Sequence, residues 1–157
     1  MQYKEVAVFI GLECPISQKY IHRLNDIYKK YINRSSLKWS FIVAGDVKEK
    51  EIKKFIKEYD VRFPIESDDS ELHRTAYFEA SVTPEVIIKQ GDKTLYRGAI
   101  DNWFYELGRY RAQTTEQYLI DALDAILKNQ EPLIKKTKAF GCFIEKSATL
   151  NPHHQHD

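Results

Sequence analysis

Apolar and polar positions along this chain change period several times, and each change marks an element. Glu5 to Gly11 (EVAVFIG) is a short run of β-branched and aromatic residues, the pattern of a buried strand. From Ile16 the apolar residues fall at Tyr20, Ile21, Leu24, Ile27, Tyr28 and Tyr31, a helical spacing held for about four turns. Asn33-Arg34-Ser35-Ser36 breaks it, and Leu37 to Ala44 (LKWSFIVA) reads as a second strand. Lys48 to Tyr59 is a helix with Ile52, Phe55, Ile56 and Tyr59 on one face.

Ser67-Asp68-Asp69-Ser70 is expected to open a shorter helix to about Phe78, with acids where the helix dipole favours them. Glu85–Lys89 and Thr94–Arg97 are short strands joined by the turn Gln90-Gly91-Asp92-Lys93. Residues 99–113 form a polar-aromatic loop. A last helix is expected from Thr114-Thr115, with Thr114 and Gln117 as a capping box, burying Leu119, Ala122, Leu123 and Ile126.

The order is β-α-β-α-(α)-β-β-α. Two strands joined through a helix run parallel and the hairpin antiparallel, so the class is α/β, a central mixed sheet flanked by helices on both faces. Periodicity is lost after Asn129. Residues 1–129 are therefore expected to form one domain, and 130–157 a C-terminal tail packed on it or partly disordered.

Composition narrows the function classes. The chain has 157 residues, 43% hydrophobic and 30% charged, as in an ordinary folded domain. Its 24 Lys and Arg against 23 Asp and Glu give no long-range field for nucleic acid or an anionic membrane. No apolar run approaches the roughly 20 residues that span a bilayer, so membrane insertion is not expected. Residues 1–12 lack the features of a signal peptide. The expected location is cytoplasmic, or periplasmic or otherwise extracytoplasmic if a leader has been removed.

The two cysteines, Cys14 and Cys142, are too few for a disulfide scaffold or a tetrahedral metal site, and no cofactor is expected. Cys14 stands in Glu13-Cys14-Pro15-Ile16-Ser17, between a strand and a helix, with Pro15 suited to the first helical position. A thiol there faces unpaired N–H groups and the positive helix end, which lower its pKa from the free value of about 8.5. Ser17, one turn on, is expected to hydrogen-bond the sulfur. The alternative is a small buried cysteine that merely packs before a proline. Val82-Thr83-Pro84-Glu85 precedes a strand; a cis Thr83–Pro84 bond would set the Thr83 backbone beside Cys14, ready to pair with an extended thiol substrate.

A strand ending in C-P-x-x at a helix start, then T-P before a hairpin and a final helix, resembles the thioredoxin superfamily. ECPISQKY, VTPEVIIKQGDKTLYRGAID and TKAFGCFIEK are similar to redoxin-like (AhpC/TSA-related, TlpA-like) bacterial proteins, over about residues 3–145. The resemblance implies a thioredoxin-like fold, a catalytic Cys14, and Glu13, Pro15, Thr83 and Pro84 at the substrate. Two departures matter. Ser17 stands where dithiol oxidoreductases carry a second cysteine, so Cys14 has no local disulfide partner. Ala7 and Gly11 stand where peroxiredoxins carry Pro and Thr.

Cys142 is either a resolving thiol or stable disulfide partner brought back by the tail, or an inert apolar residue. Cα atoms within about 7 Å of each other would permit the bond. Three functions follow. The first is a thiol–disulfide redox protein acting on a protein or small-molecule partner through Cys14, Ser17 and Cys142. The second is a weak peroxidase, and the third a non-enzymatic module holding Cu(I) between its thiols. Asp101, Trp103, Tyr105, Arg109 and Arg111 are secondary binding candidates, with Arg97 and Asp101 expected to pair. His22 and His73 read as surface residues, and His153, His154, His156 and Asp157 as a disordered end or a weak metal cluster.

Overall fold

A computed structural model of the chain describes residues 3–145. The terminal histidine cluster lies outside the described residues. In chain order the elements are β1 (Lys4–Ile10), α1 (Pro15–Tyr31), β2 (Leu37–Val43), α2 (Glu49–Tyr59), β3 (Glu66–Ser67), α3 (His73–Phe78), β4 (Val82–Thr83), β5 (Glu85–Gln90), β6 (Lys93–Gly98), β7 (Phe104–Glu106), β8 (Arg109–Tyr110), α4 (Tyr118–Leu127) and β9 (Cys142–Phe143).

Five strands form the central sheet in the order β3-β2-β1-β5-β6. β1 runs parallel to β2 and antiparallel to β5, so the sheet is mixed, as the connections require. β1 sits at its centre and is apolar on both sides. Val6, Val8 and Ile10 join the larger core with Tyr20 and Leu24 of α1 and Leu119 and Leu123 of α4. Ala7 and Phe9 face a smaller cluster with Ile42, Ile87, Phe78 and Ala80. This two-sided burial explains why β1 reads as a continuous apolar run rather than an alternation.

The structure corrects three local expectations. Ser67 ends a strand, and the acids after it shape a turn ahead of a helix that starts only at His73. The carboxylate of Asp68 accepts the N–H groups of Asp69, Arg74 and Thr75 and the Thr75 hydroxyl, while Asp69 accepts those of Glu71 and His73. The Thr114–Gln117 capping box does not form: α4 begins at Tyr118, with Gln117 at its N-cap making no side-chain bond. Asn102 Oδ1 instead accepts the Thr115 and Glu116 N–H groups, and Thr114 Oγ1 accepts from Arg23. Arg97 and Asp101 do not pair. Buried Asp101 accepts from Tyr20 (2.6 Å), Arg23 (2.9 Å) and the Trp103 N–H (2.9 Å), while Arg97 donates to the carbonyls of Phe78 and Glu79.

The described part of the tail lies on the domain. The Arg97 N–H donates to the Lys135 carbonyl and the Thr137 N–H to the Arg97 carbonyl, so residues 135–137 run along β6. The Thr137 hydroxyl also meets the Ala99 N–H and the Tyr96 hydroxyl. Glu131 bonds both Lys93 and Lys135, and these two ammonium groups hold its carboxyl down at about 2.

Candidate functional site

Cys14 caps the N-terminus of α1 with extended backbone (φ −88°, ψ 115°), followed by Pro15 at the first helical turn. No acidic residue lies in that first turn to offset the positive end of the helix dipole. Cys14 is 4% exposed and joins the larger core, with Ile10 and Ile16 among its neighbours. Glu13 and Pro15 flank it in the open.

Ser17 is fully buried, and its hydroxyl accepts the Gly11 N–H at 3.1 Å. The expected bond to the sulfur is not formed. Ser17 instead ties the end of β1 to the first turn of α1 and so fixes the loop that carries Cys14.

Cys14 is disulfide-bonded to Cys142, 128 positions away in sequence, with 6.0 Å between their Cα atoms. The tail supplies the second thiol that the C-P-I-S motif lacks. The Thr83–Pro84 peptide bond is cis, and Thr83 and Pro84 are both buried. The Cys14 sulfur lies 3.3 Å from the Thr83 carbonyl oxygen. The oxidised sulfur has no proton to share; a thiol at this place would donate to that oxygen.

Val82 and Thr83 form β4, and the tail strand β9 pairs with them antiparallel, Thr83 opposite Cys142 and Val82 opposite Phe143. The Ile144 N–H continues the contact to the Ser81 carbonyl at 2.9 Å, and the Thr83 hydroxyl donates to the Cys142 carbonyl at 3.4 Å. The tail thus occupies the edge beside Cys14 where an extended substrate was expected.

Two residues that shape the site were not among the sequence candidates. Glu85, only 6% exposed at the start of β5, accepts the N–H groups of Ser81 (2.8 Å) and Val82 (3.3 Å), while Arg97 lies 3.7 Å from its second oxygen. It braces the chain that becomes β4. A carboxylate inside the apolar run EVIIK was the available signal. The other is Gly141, where an added Cβ would overlap the Thr83 carbonyl. A glycine directly before the tail cysteine was the clue there.

A groove of about 450 Å³ runs beside the disulfide, walled by Leu12, Val43, Val47 and Leu72 with Glu13 and Glu51 also lining it. A second, of about 560 Å³, lies across β9 between Leu107 and Phe140. Phe143 borders both and is 79% exposed. The secondary candidates lie elsewhere: Arg23 stacks on the Trp103 ring at 3.8 Å, and Tyr105, Arg109 and Tyr110 form the exposed β7–β8 hairpin. His22 and His73 are exposed and lie beside Asp26 and Asp69. Among the described residues no group of three or more His, Cys, Asp or Glu side chains is placed to hold a metal ion.

No protein family matches the chain, and no curated protein does. Solved structures do match. A hypothetical protein of Sinorhizobium meliloti 1021 is 21% identical, with a TM-score of 0.74 over 90% of this chain and 78% of that one. An uncharacterized conserved protein of Geobacillus kaustophilus is 25% identical, with a TM-score of 0.71 over 91% of this chain and 77% of its own. A thioredoxin-like protein in its oxidized form is 16% identical, with a TM-score of 0.55 over 83% and 82% of the two chains. The chain has a thioredoxin-like fold.

Proposed function

We propose that this protein is a thiol–disulfide exchange protein in which Cys14 is the attacking thiol and Cys142 the resolving thiol. The observation that carries the reading is the Cys14–Cys142 disulfide at the start of α1, beside Thr83. Cys14 as thiolate attacks one sulfur of a partner disulfide. The Cys14–partner bond forms, the partner's S–S bond breaks, and the other partner sulfur leaves with the electron pair. The Cys142 thiolate then attacks Cys14 and expels the partner's remaining sulfur, so the partner gains two electrons and the protein returns to its disulfide. An external dithiol recharges the pair; run backwards, the same steps oxidise a partner dithiol.

The parts divide the work. The first turn of α1 carries no acidic residue, so its positive end stabilises negative charge on Cys14 when the thiolate forms. Ser17 holds the loop in place. Thr83 and Pro84 offer backbone to the partner, and Glu13 and Pro15 border it. Residues 135–137 stay anchored on β6, so Cys142 is tethered only five residues beyond Thr137 and meets Cys14 at high effective concentration.

Partners are protein or small-molecule disulfides and thiols. Among the described residues no helix is long and apolar enough to cross a membrane. An internal disulfide in the resting chain suits an extracytoplasmic, oxidising setting.

The test is turnover of an aromatic disulfide reporter with dithiothreitol as donor. Cys14→Ser abolishes the protein-dependent rate, and reduced Cys142→Ser, freed of dithiothreitol and then mixed with the reporter, keeps a mixed disulfide on Cys14 that can be weighed. An unchanged rate in Cys14→Ser defeats the reading.

A further inference from the structure

The way the tail sits on β4 says which partner fits there. Its backbone is held from Ser81 to Thr83 by strand pairing and the Ile144 N–H, whatever its side chains are. Two side-chain positions decide the rest. Phe143, after the cysteine, is 79% exposed and is not gripped. Gly141, before it, lies so close to the Thr83 carbonyl and the Pro84 nitrogen that no Cβ fits. Its neighbours there are backbone atoms, fixed by Pro84 and by the carboxylate of Glu85 on the Ser81 and Val82 N–H groups, and cannot swing aside.

We infer that the tail strand is an internal stand-in for the substrate, and that the partner is an extended polypeptide segment whose reactive cysteine directly follows a glycine. This rests on the redox reading above and deepens it. A polypeptide is favoured over a small thiol because the contacts are main-chain pairs at the cysteine and at the two residues after it, Cys142 with Thr83, Phe143 with Val82 and Ile144 with Ser81, which only a strand supplies. The residue after the cysteine is free to vary.

The experiment uses the full chain with Cys142→Ser, carrying 5-thio-2-nitrobenzoate on Cys14 through a disulfide. A peptide thiolate attacks the Cys14 sulfur; the peptide–Cys14 bond forms, the old S–S bond breaks, and the coloured thiolate leaves with the electron pair. Three peptides are compared: residues 139–144 of this chain, the same with alanine for the glycine, and the same with alanine for the first phenylalanine after the cysteine. Forcing a methyl into a close-packed contact predicts a loss of about tenfold or more for the glycine change. The phenylalanine change is expected to stay within about twofold, as for an exposed side chain. Equal rates for the glycine and alanine peptides overturn the inference.

The wild-type chain gives a second reading. Gly141→Ala, equilibrated with glutathione buffers, is expected to favour the dithiol by about tenfold; an unchanged equilibrium counts against the inference. Should neither peptides nor glutathione release the coloured thiolate, the redox reading falls with it. Release at one rate by all of them removes the specificity alone.

Discussion

The Cys14 sulfur and the Thr83 carbonyl oxygen lie 3.3 Å apart although 69 residues separate them in sequence. The contact joins the reactive helix start to the chain entering β5, and β9 closes it from outside. Cys14, Thr83 and Cys142 therefore form one unit: a sulfur, a backbone edge and the strand covering both.

If that unit works by release of the tail, the fold must survive its opening. β1, α1 and α4 supply half of the buried residues of the larger core, and the described tail adds only partly buried Phe140 and Cys142 at its margin. Reduction is expected to lower stability by about 2–4 kcal/mol through lost cross-linking of the unfolded chain, with the far-ultraviolet spectrum unchanged. Denaturant titration with and without dithiothreitol checks this.

Glu85 should govern the docking edge. Its carboxylate is buried, receives two backbone N–H groups and lies beside Arg97, so removing it leaves two backbone donors without an acceptor and Arg97 without its counter-charge. Glu85→Ala is expected to cost about 3 kcal/mol and Glu85→Gln less, since the amide keeps one acceptor oxygen. Hydrogen exchange at Ser81, Val82 and Ile144 should quicken in both; protection equal to the wild type would show that the edge stands without it.

Gly98 has φ +144°, and a Cβ there would meet Thr137. Gly98→Ala therefore strains β6 and pushes the tail anchor away. The expected loss is about 2 kcal/mol or more, with slower re-formation of the disulfide after reduction, read by thiol trapping.

Tyrosine ionisation sets the alkaline limit. Tyr20 is raised above its ordinary value by burial and then by the Asp101 charge and hydrogen bond, Tyr31 by burial and the Asp124 hydrogen bond, and Tyr96 by burial. The folded chain thus keeps protons that the unfolded chain gives up near pH 10. Their contribution is complete below about pH 10 and is lost as pH rises above it toward the folded values. Denaturation midpoints measured from about pH 8 to 11 should fall at the upper end, and less steeply in Tyr20→Phe.

The framework was legible because it is written locally. β1 is an unbroken apolar run, α1 keeps a helical period to Tyr31, and Gly91-Asp92 marks the hairpin turn. Cys14 at a strand–helix junction and Thr83-Pro84 before a strand were equally visible. What stayed hidden depends on distant partners. The start of α4 is organised by Asn102, 13 and 14 residues from Thr115 and Glu116, so a local capping box was the wrong place to look. Asp101 finds Tyr20 81 residues away rather than nearby Arg97. Ser17 serves backbone instead of sulfur, which spacing alone does not distinguish. The pairing of Cys14 with Cys142 was one of two alternatives the sequence offered, and across 128 positions no local pattern chooses it over an inert cysteine.

The central claim, that the Cys14–Cys142 bond is a working redox pair, is tested most directly by its reduction potential. The oxidised chain is equilibrated in graded thiol–disulfide buffers, quenched with an alkylating agent and weighed. The account predicts a single transition in which both cysteines become alkylated together, with a midpoint above about −300 mV, where exchangeable disulfides lie. A bond still intact well below about −300 mV would make it a structural clamp and contradict the account.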